Sequence, residues 1–368
     1  MSDNNYINGI SSTGFGLEFS VSKILIENGW TVINNKYYID DVQGSAREID
    51  ILAYRVTLKN GIQIYTVLII SCKKSNDNAW ALLSKEIDYN DPNIDWNPVT
   101  LWSNQKILKF IIENYDWKKK YVNSSKDLYS QLFSPQKHIF AFQELKKNTG
   151  KPQNDKAIFN SVVSSMKSQN YEIGSLNQRK KEESLYNFNL ISVVDAPLLR
   201  MNYIDGDPSV KQINSDIYVG SYIINRQETL SRVHFIKFDA FDSSLSIYNK
   251  LHSHNINQAS EIYESYFKDC LKDQKKVKIF LKDFSRELRW DIYETIKGLR
   301  DDKSIKEVIG IHWDEKKDCV AITIDDVWEE DEVKALNENI KVNAGVKSTF
   351  KKIFRYDGDF YFDDCIPF

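Results

Sequence analysis

Apolar residues recur every three to four positions in "GFGLEFSVSKILIENGW", where Phe15, Phe19, Ile24, Leu25 and Ile26 lead up to Gly29. That spacing predicts a helix over about 14–28, entered through Ser12 or Thr13 and stopped at the glycine. The period then changes. "TVINNKYYI" and "REIDILAYRVTL" read as strands, Asn60-Gly61 as a tight reversal, and "IQIYTVLIISCKK" as a third strand, apolar enough to be central.

After a polar, Trp-bearing passage over 74–100 come an amphipathic helix ("NQKILKFIIENY"), a strand ("KHIFAFQEL"), and a helix ("NDKAIFNSVVSSMKSQ"). Gln143 and Glu144 are read as the end of that strand, in the same sheet. Three more strands follow in "YNFNLISVVDAPLL", "SDIYVGSYII" and "RVHFIKFDAF". This order predicts an α/β unit, a mixed sheet flanked by helices, over residues 1–255.

Residues 256–368 are expected to form an α+β unit. Its elements are a helix in "QASEIYESYFKDCLKD", a strand in "KKVKIFL" and a helix in "SRELRWDIYETIKGLRD". A hairpin from "IKEVIGIHW" and "DCVAITI" and one last helix in "WEEDEVKALNENIKV" complete it.

The bulk numbers narrow the partners. A chain of 368 residues with 42% hydrophobic content can bury large cores, and a net charge of -3 supplies no global positive field for a polyanion. Four scattered cysteines without a CxxC pair indicate neither a zinc ribbon nor a disulfide framework, so a reducing, cytoplasmic setting is expected. The N-terminus lacks a signal-peptide apolar region, and no apolar run approaches ~18 residues, which speaks against a membrane partner. No GxGxxG or GxxxxGK[ST] pattern is present.

Chemistry enters through the hairpin. A two-residue turn at Asn60-Gly61 places Lys59 against Ile62; the same register sets Asp50 opposite Ser71 and Glu48 opposite Lys73. With side chains alternating, Glu48, Asp50, Ser71 and Lys73 share one face, and Ile49, Ile51, Ile70 and Cys72 form a core face. Such a cluster is either a cross-strand Glu48–Lys73 ion pair beside a solvated Asp50, or a seat for a metal ion and a phosphate.

"GLE" on the first helix, "REID" on the second strand and "SCKKS" at the end of the third resemble the PD-(D/E)xK nuclease superfamily, in particular its Mrr-like, restriction-endonuclease-like branch. The resemblance covers roughly residues 14–86 and extends loosely to 255. It implies a Mg²⁺-dependent DNA endonuclease, with Mn²⁺ able to substitute, in bacterial restriction or phage defence, acting as a homodimer or with other defence proteins. RNA stands as an alternative substrate.

Carried over by residue, the resemblance makes Asp50 the metal carboxylate and Lys73 the water-activating group. The carbonyl of Cys72 becomes an extra ligand, and Glu18 the helical acid that completes the site. Ser71 departs from the pattern, because the family usually carries Glu, Asp or Gln there, and a serine hydroxyl is a poor substitute for a hard cation. Either the fold is a catalytically silent binding module, or another acid replaces the missing one. Glu86 fits the spacing of family members with a migrated acid, carried on a short helix over Ala79–Lys85 capped by Asn78. Glu18 and Glu48 are the other options.

DNA contacts are expected from Arg179, Lys180 and Lys181, and from Lys341, Lys347, Lys351, Lys352 and Arg355 near the C-terminus. His252 and His254 lack a Cys or carboxylate at metal-ligand spacing and read as loop residues.

Overall fold

The computed structural model describes residues 6–7, 9–10, 13–40, 42, 44–204, 207–299, 304–327 and 329–364. The chain divides into two compact units, Met1–Ser260 and Glu261–Phe368. Both are mixed α/β, and among the described residues no helix is long and apolar enough to cross a membrane.

The first unit opens with helix α1 (Phe15–Glu27), followed by strands β1 (Thr31–Ile39), β2 (Ala46–Lys59) and β3 (Ile62–Lys74). Gly14 occupies the N-cap of α1 without a side-chain hydrogen bond. Thr13 instead donates to the Ile10 carbonyl, and Ser12 lies outside the described residues. Next come β4 (Asn78–Lys85), β5 (Thr100–Ser103), α2 (Lys106–Asn114), α3 (Trp117–Asn123), β6 (His138–Lys146) and α4 (Lys156–Arg179). Strands β7 (Ser184–Asp195), β8 (Leu198–Ile204), β9 (Asp207–Ile213), β10 (Ser215–Ile224) and β11 (Gln227–Lys237) lead into α5 (Phe241–Tyr266).

Two sheets result. The larger has the order β1-β2-β3-β7-β11-β10, with β5 also paired to β7; the smaller has the order β6-β4-β8-β9. Strands β3, β7 and β11 run parallel, which explains why β7 is buried at all but its last position. One face of the large sheet packs Ile51, Ala53, Leu68, Ile70 and Cys72 against Leu17, Val21 and Leu25 of α1 and against α5. The opposite face packs Leu52, Val67 and Ile69 against Ile158, Val162 and Met166 of α4 and against Trp80 and Leu82 of β4.

Expectations for strands β6 and β4 fail in this unit. Gln143 and Glu144 lie on β6, in the smaller sheet rather than the main one. Residues 79–85 form strand β4, not a helix, because β6 and β8 bind both of its edges. Pairing on two sides outweighs the helix preference of an Ala- and Leu-rich segment.

In the second unit, "KKVKIFL" is also corrected: it belongs to helix α6 (Gln274–Ile296), not to a strand. Val277, Phe284, Leu288, Ile292 and Ile296 are buried at helical spacing, and the Asp273 side chain accepts from Lys275 N and Lys276 N at the N-terminus. The expected hairpin is present as β12 (Val308–Asp314) and β13 (Cys319–Ile324), with β14 (Phe360–Asp363) parallel to β13. The last expected helix is two: α7 (Glu330–Glu338) and α8 (Ile340–Phe354). Asn339 divides them in an extended conformation, its side chain accepting from Lys341 N and Val342 N. Asn339→Ala is therefore expected to destabilise this unit by about 1 kcal/mol, measured by urea unfolding.

Candidate active site

The site grows from the β2–β3 hairpin. Asn60 and Gly61 both adopt positive φ, 52° and 78°, as a two-residue reversal matching strand twist requires. The register runs from Lys59↔Ile62 to Ile51↔Ile70, as the turn predicts. Beyond Ile51 the regular ladder stops, although β3 continues along β7 as far as Lys74↔Asp195.

The break has a local cause. Asn35 of β1 sits in the left-handed region at φ 53°, between the pairs Asn34↔Ile51 and Lys36↔Ile49. The alternation of faces slips there. Ile51 packs with α1, whereas Ile49 joins the core on the α4 side, so the expectation that Ile49 shares a face with Ile51, Ile70 and Cys72 is corrected.

Asp50 occupies this seam. Its Oδ2 accepts from Cys72 N at 2.7 Å, Lys73 Nζ at 3.1 Å and Ser71 Oγ at 3.3 Å. Lys73 Nζ also donates to the Cys72 carbonyl at 3.2 Å. No described residue hydrogen-bonds to Oδ1. The Asp50 and Lys73 side chains keep 20% and 31% of their surface, so the pair is reachable from solvent.

Glu18 approaches from α1. Partial burial, and secondarily the negative charge of Asp50, push its carboxyl above the usual range; Lys73 opposes this and Glu48 adds to it. The Cys72 thiol is driven well above its ordinary value, chiefly by burial, so its sulfur stays protonated, while its backbone N–H and carbonyl reach Asp50 and Lys73.

Two expected partners are elsewhere. Glu48 is bound by the Asn35 side chain, and Lys73 pairs with Asp50 rather than Glu48. Glu86 follows β4, pairs with Lys137 and leaves 71% of its side chain exposed. Asn78 N donates to Ser75 Oγ beside the end of β3, and from there the eight residues of β4 carry the chain ~26 Å in extended form before Glu86. A strand cannot return that carboxylate to Asp50 as a short helix could. Glu86→Ala is expected to leave any metal response of the protein within about twofold of wild type, as expected for a surface ion pair.

Sequence reading missed two contributors. Lys147, just after β6, donates to the Ser75 carbonyl at 3.0 Å and adds a cation beyond β3, where Lys74 already stands 4.0 Å from Asp195. Asn35, which opens the seam, was signalled only by "NN" inside a strand pattern, asparagine being among the residues that tolerate left-handed backbone.

The basic segments are largely paired. Arg179 meets Glu172, Lys341 meets Asp291, Lys351 meets Asp357, Lys352 meets Glu287 and Arg355 meets Glu264. His252 and His254 lie in α5 rather than in a loop. The two ring nitrogens of His252 each lie 2.9 Å from a hydroxyl, those of Thr57 and Thr66, and burial lowers its pKa, so it acts as a neutral structural bridge. No protein-family model matches the chain, and no curated protein or solved structure does either.

Proposed function

We propose that the chain is a metal-dependent endonuclease of restriction-endonuclease-like fold that hydrolyses DNA phosphodiester bonds, in the setting of bacterial restriction or phage defence. The observation that carries this reading is the Asp50–Lys73 contact in a solvent-reachable seam, with Glu18 held near a like charge. A carboxylate disfavoured by a neighbouring like charge favours a cation between the two.

The donors fit Mg²⁺, a hard ion that takes oxygen ligands. Asp50 through its uncommitted Oδ1, Glu18, and the Cys72 carbonyl would hold it. Among the described residues no group of three or more His, Cys, Asp or Glu side chains is gathered for a metal, so backbone oxygen and water would fill the remaining positions. When bound, Mg²⁺ would polarise a phosphoryl oxygen and lower the pKa of a coordinated water.

The chain's own groups do the rest. Lys73 offers N–H donors to a phosphoryl oxygen, where negative charge grows as water adds to phosphorus and the P–O ester bond breaks. Ser71 and the Cys72 N–H fix the orientation of the Asp50 carboxylate. The parallel strands β3, β7 and β11 present their carboxyl ends at this edge, with Lys74 and Lys237 there to meet flanking phosphates.

Ser71 favours a second reading, a silent nuclease fold that binds DNA or a protein. In that case the three donors on Asp50 Oδ2 are a closed structural knot. Nicking of supercoiled plasmid by the full chain with Mg²⁺ or Mn²⁺, against a metal-free control, separates the two: absence of metal-dependent nicking rejects the nuclease.

A further inference from the structure

On the α4 side of the large sheet, strands β1, β2, β3 and β7 and the last turns of α4 enclose a pocket of about 360 Å³. Its wall is aromatic. Tyr65 stacks on Tyr186 with centroids 4.2 Å apart and planes 9° apart, and Tyr54, half-buried, lies 5.8 Å from Tyr65.

Its rim carries cations. Lys36 and Arg179 both pair with the buried carboxylate of Glu172, at 2.5 and 2.6 Å. Lys180 lies 4.6 Å over the Tyr65 ring and donates to the Tyr65 hydroxyl at 2.8 Å. With Glu182 also on the rim, three cations face two carboxylates, which leaves one positive charge. The pocket lies on the α4 face of the sheet, whereas Asp50 is coupled to Glu18 of α1 on the opposite face, so the pocket is separate from the Asp50 seam.

We propose that this pocket binds a nucleotide unit, the base against Tyr54 and the Tyr65–Tyr186 stack and the phosphate at Lys180 and Arg179. Tyr54, tilted 52° to Tyr65, adds a second ring to this aromatic wall, and an aromatic wall selects a planar ring because every base has a π-face to stack. The residual positive charge selects an anion, and the volume lies within the range of small-ligand pockets. A free nucleotide and one residue of a nucleic-acid strand share this chemistry. The inference does not depend on hydrolysis at Lys73.

The test is titration of the full chain, without added metal, by adenosine 5′-monophosphate, by ribose 5-phosphate and by a single-stranded oligodeoxyadenylate, followed by calorimetry. Saturable binding of the mononucleotide or of the oligonucleotide is expected, roughly fivefold or more weaker in Lys180→Ala and in Tyr54→Ala. Tyr54→Phe, which keeps the ring, is expected to bind as wild type does. Binding of both probes, with the mononucleotide displacing the oligonucleotide, assigns one pocket to both sources; oligonucleotide binding alone assigns it to a strand.

Thermal melting of each variant checks that its fold is intact, and Tyr54→Ala carries the test if Lys180→Ala unfolds. Ribose 5-phosphate binding as tightly as the mononucleotide overturns the proposal. So does affinity unchanged by both alanine substitutions, or no saturable binding of either nucleotide probe. Loss of plasmid nicking would leave this result untouched, so the two readings fail separately.

Discussion

Lys73→Ala is expected to reduce Mg²⁺-dependent plasmid nicking by about 10²–10³-fold, the usual cost of deleting one donor aimed at developing transition-state charge. The fold should survive. The Lys73–Asp50 pair is partly exposed, so its loss costs at most about 1 kcal/mol. Asp50 also keeps its hydrogen bonds from Cys72 N and Ser71 Oγ. Initial rates of supercoiled-to-nicked conversion, with melting temperatures alongside, measure both effects. Equal nicking by wild type and variant would identify any activity as a contaminant and leave the silent-fold reading standing.

The first site is where sequence and structure agree best, and the reason is short range. Turn chemistry at Asn60-Gly61 sets the register from Lys59↔Ile62 to Ile51↔Ile70, and Asp50, one residue past the end of that ladder, lies within reach of Ser71 and Lys73. What it could not supply is the break at Asn35, which turns a regular ladder into an open seam and sends Ile49 to the other core. A left-handed residue inside a strand depends on its neighbours in space as much as on its own preference.

The misread segments share a different cause. Val277, Ile279, Phe280 and Leu281 form a short apolar run that reads as a strand, yet the four-residue spacing of the buried positions from Phe284 to Ile296 extends one continuous helix back through them. Conversely, "NAWALLSK" has no alternation to betray a strand. It is one because β6 and β8, more than fifty residues away in sequence, supply its hydrogen bonds. That single change of element takes Glu86 away from Asp50 and leaves Glu18 as the acid whose electrostatics are coupled to Asp50 and Lys73.

Glu18→Gln should therefore have opposite effects with and without metal. In the metal-free protein, burial and the charge of Asp50 disfavour ionised Glu18, so its folded pKa lies above its unfolded one. A carboxyl shifted in this direction contributes stability below the unfolded value and loses it as pH rises through the folded value. At neutral pH, glutamine relieves this strain, and the metal-free melting temperature is expected to rise by ~1–3 °C, solvent screening keeping the gain small.

With Mg²⁺ or Mn²⁺ the order reverses. Wild type at an ion concentration near 100 times its Kd gains about 2.7 kcal/mol, or ~5–10 °C. The variant, short of one of two carboxylates, should gain little of this. Acidification toward the raised Glu18 value should erase the wild-type increment, because proton and cation compete for the same oxygens. Differential scanning fluorimetry across metal concentration and pH reads all of these shifts. An undiminished metal increment in Glu18→Gln would remove Glu18 from the site and require another acid beside Asp50.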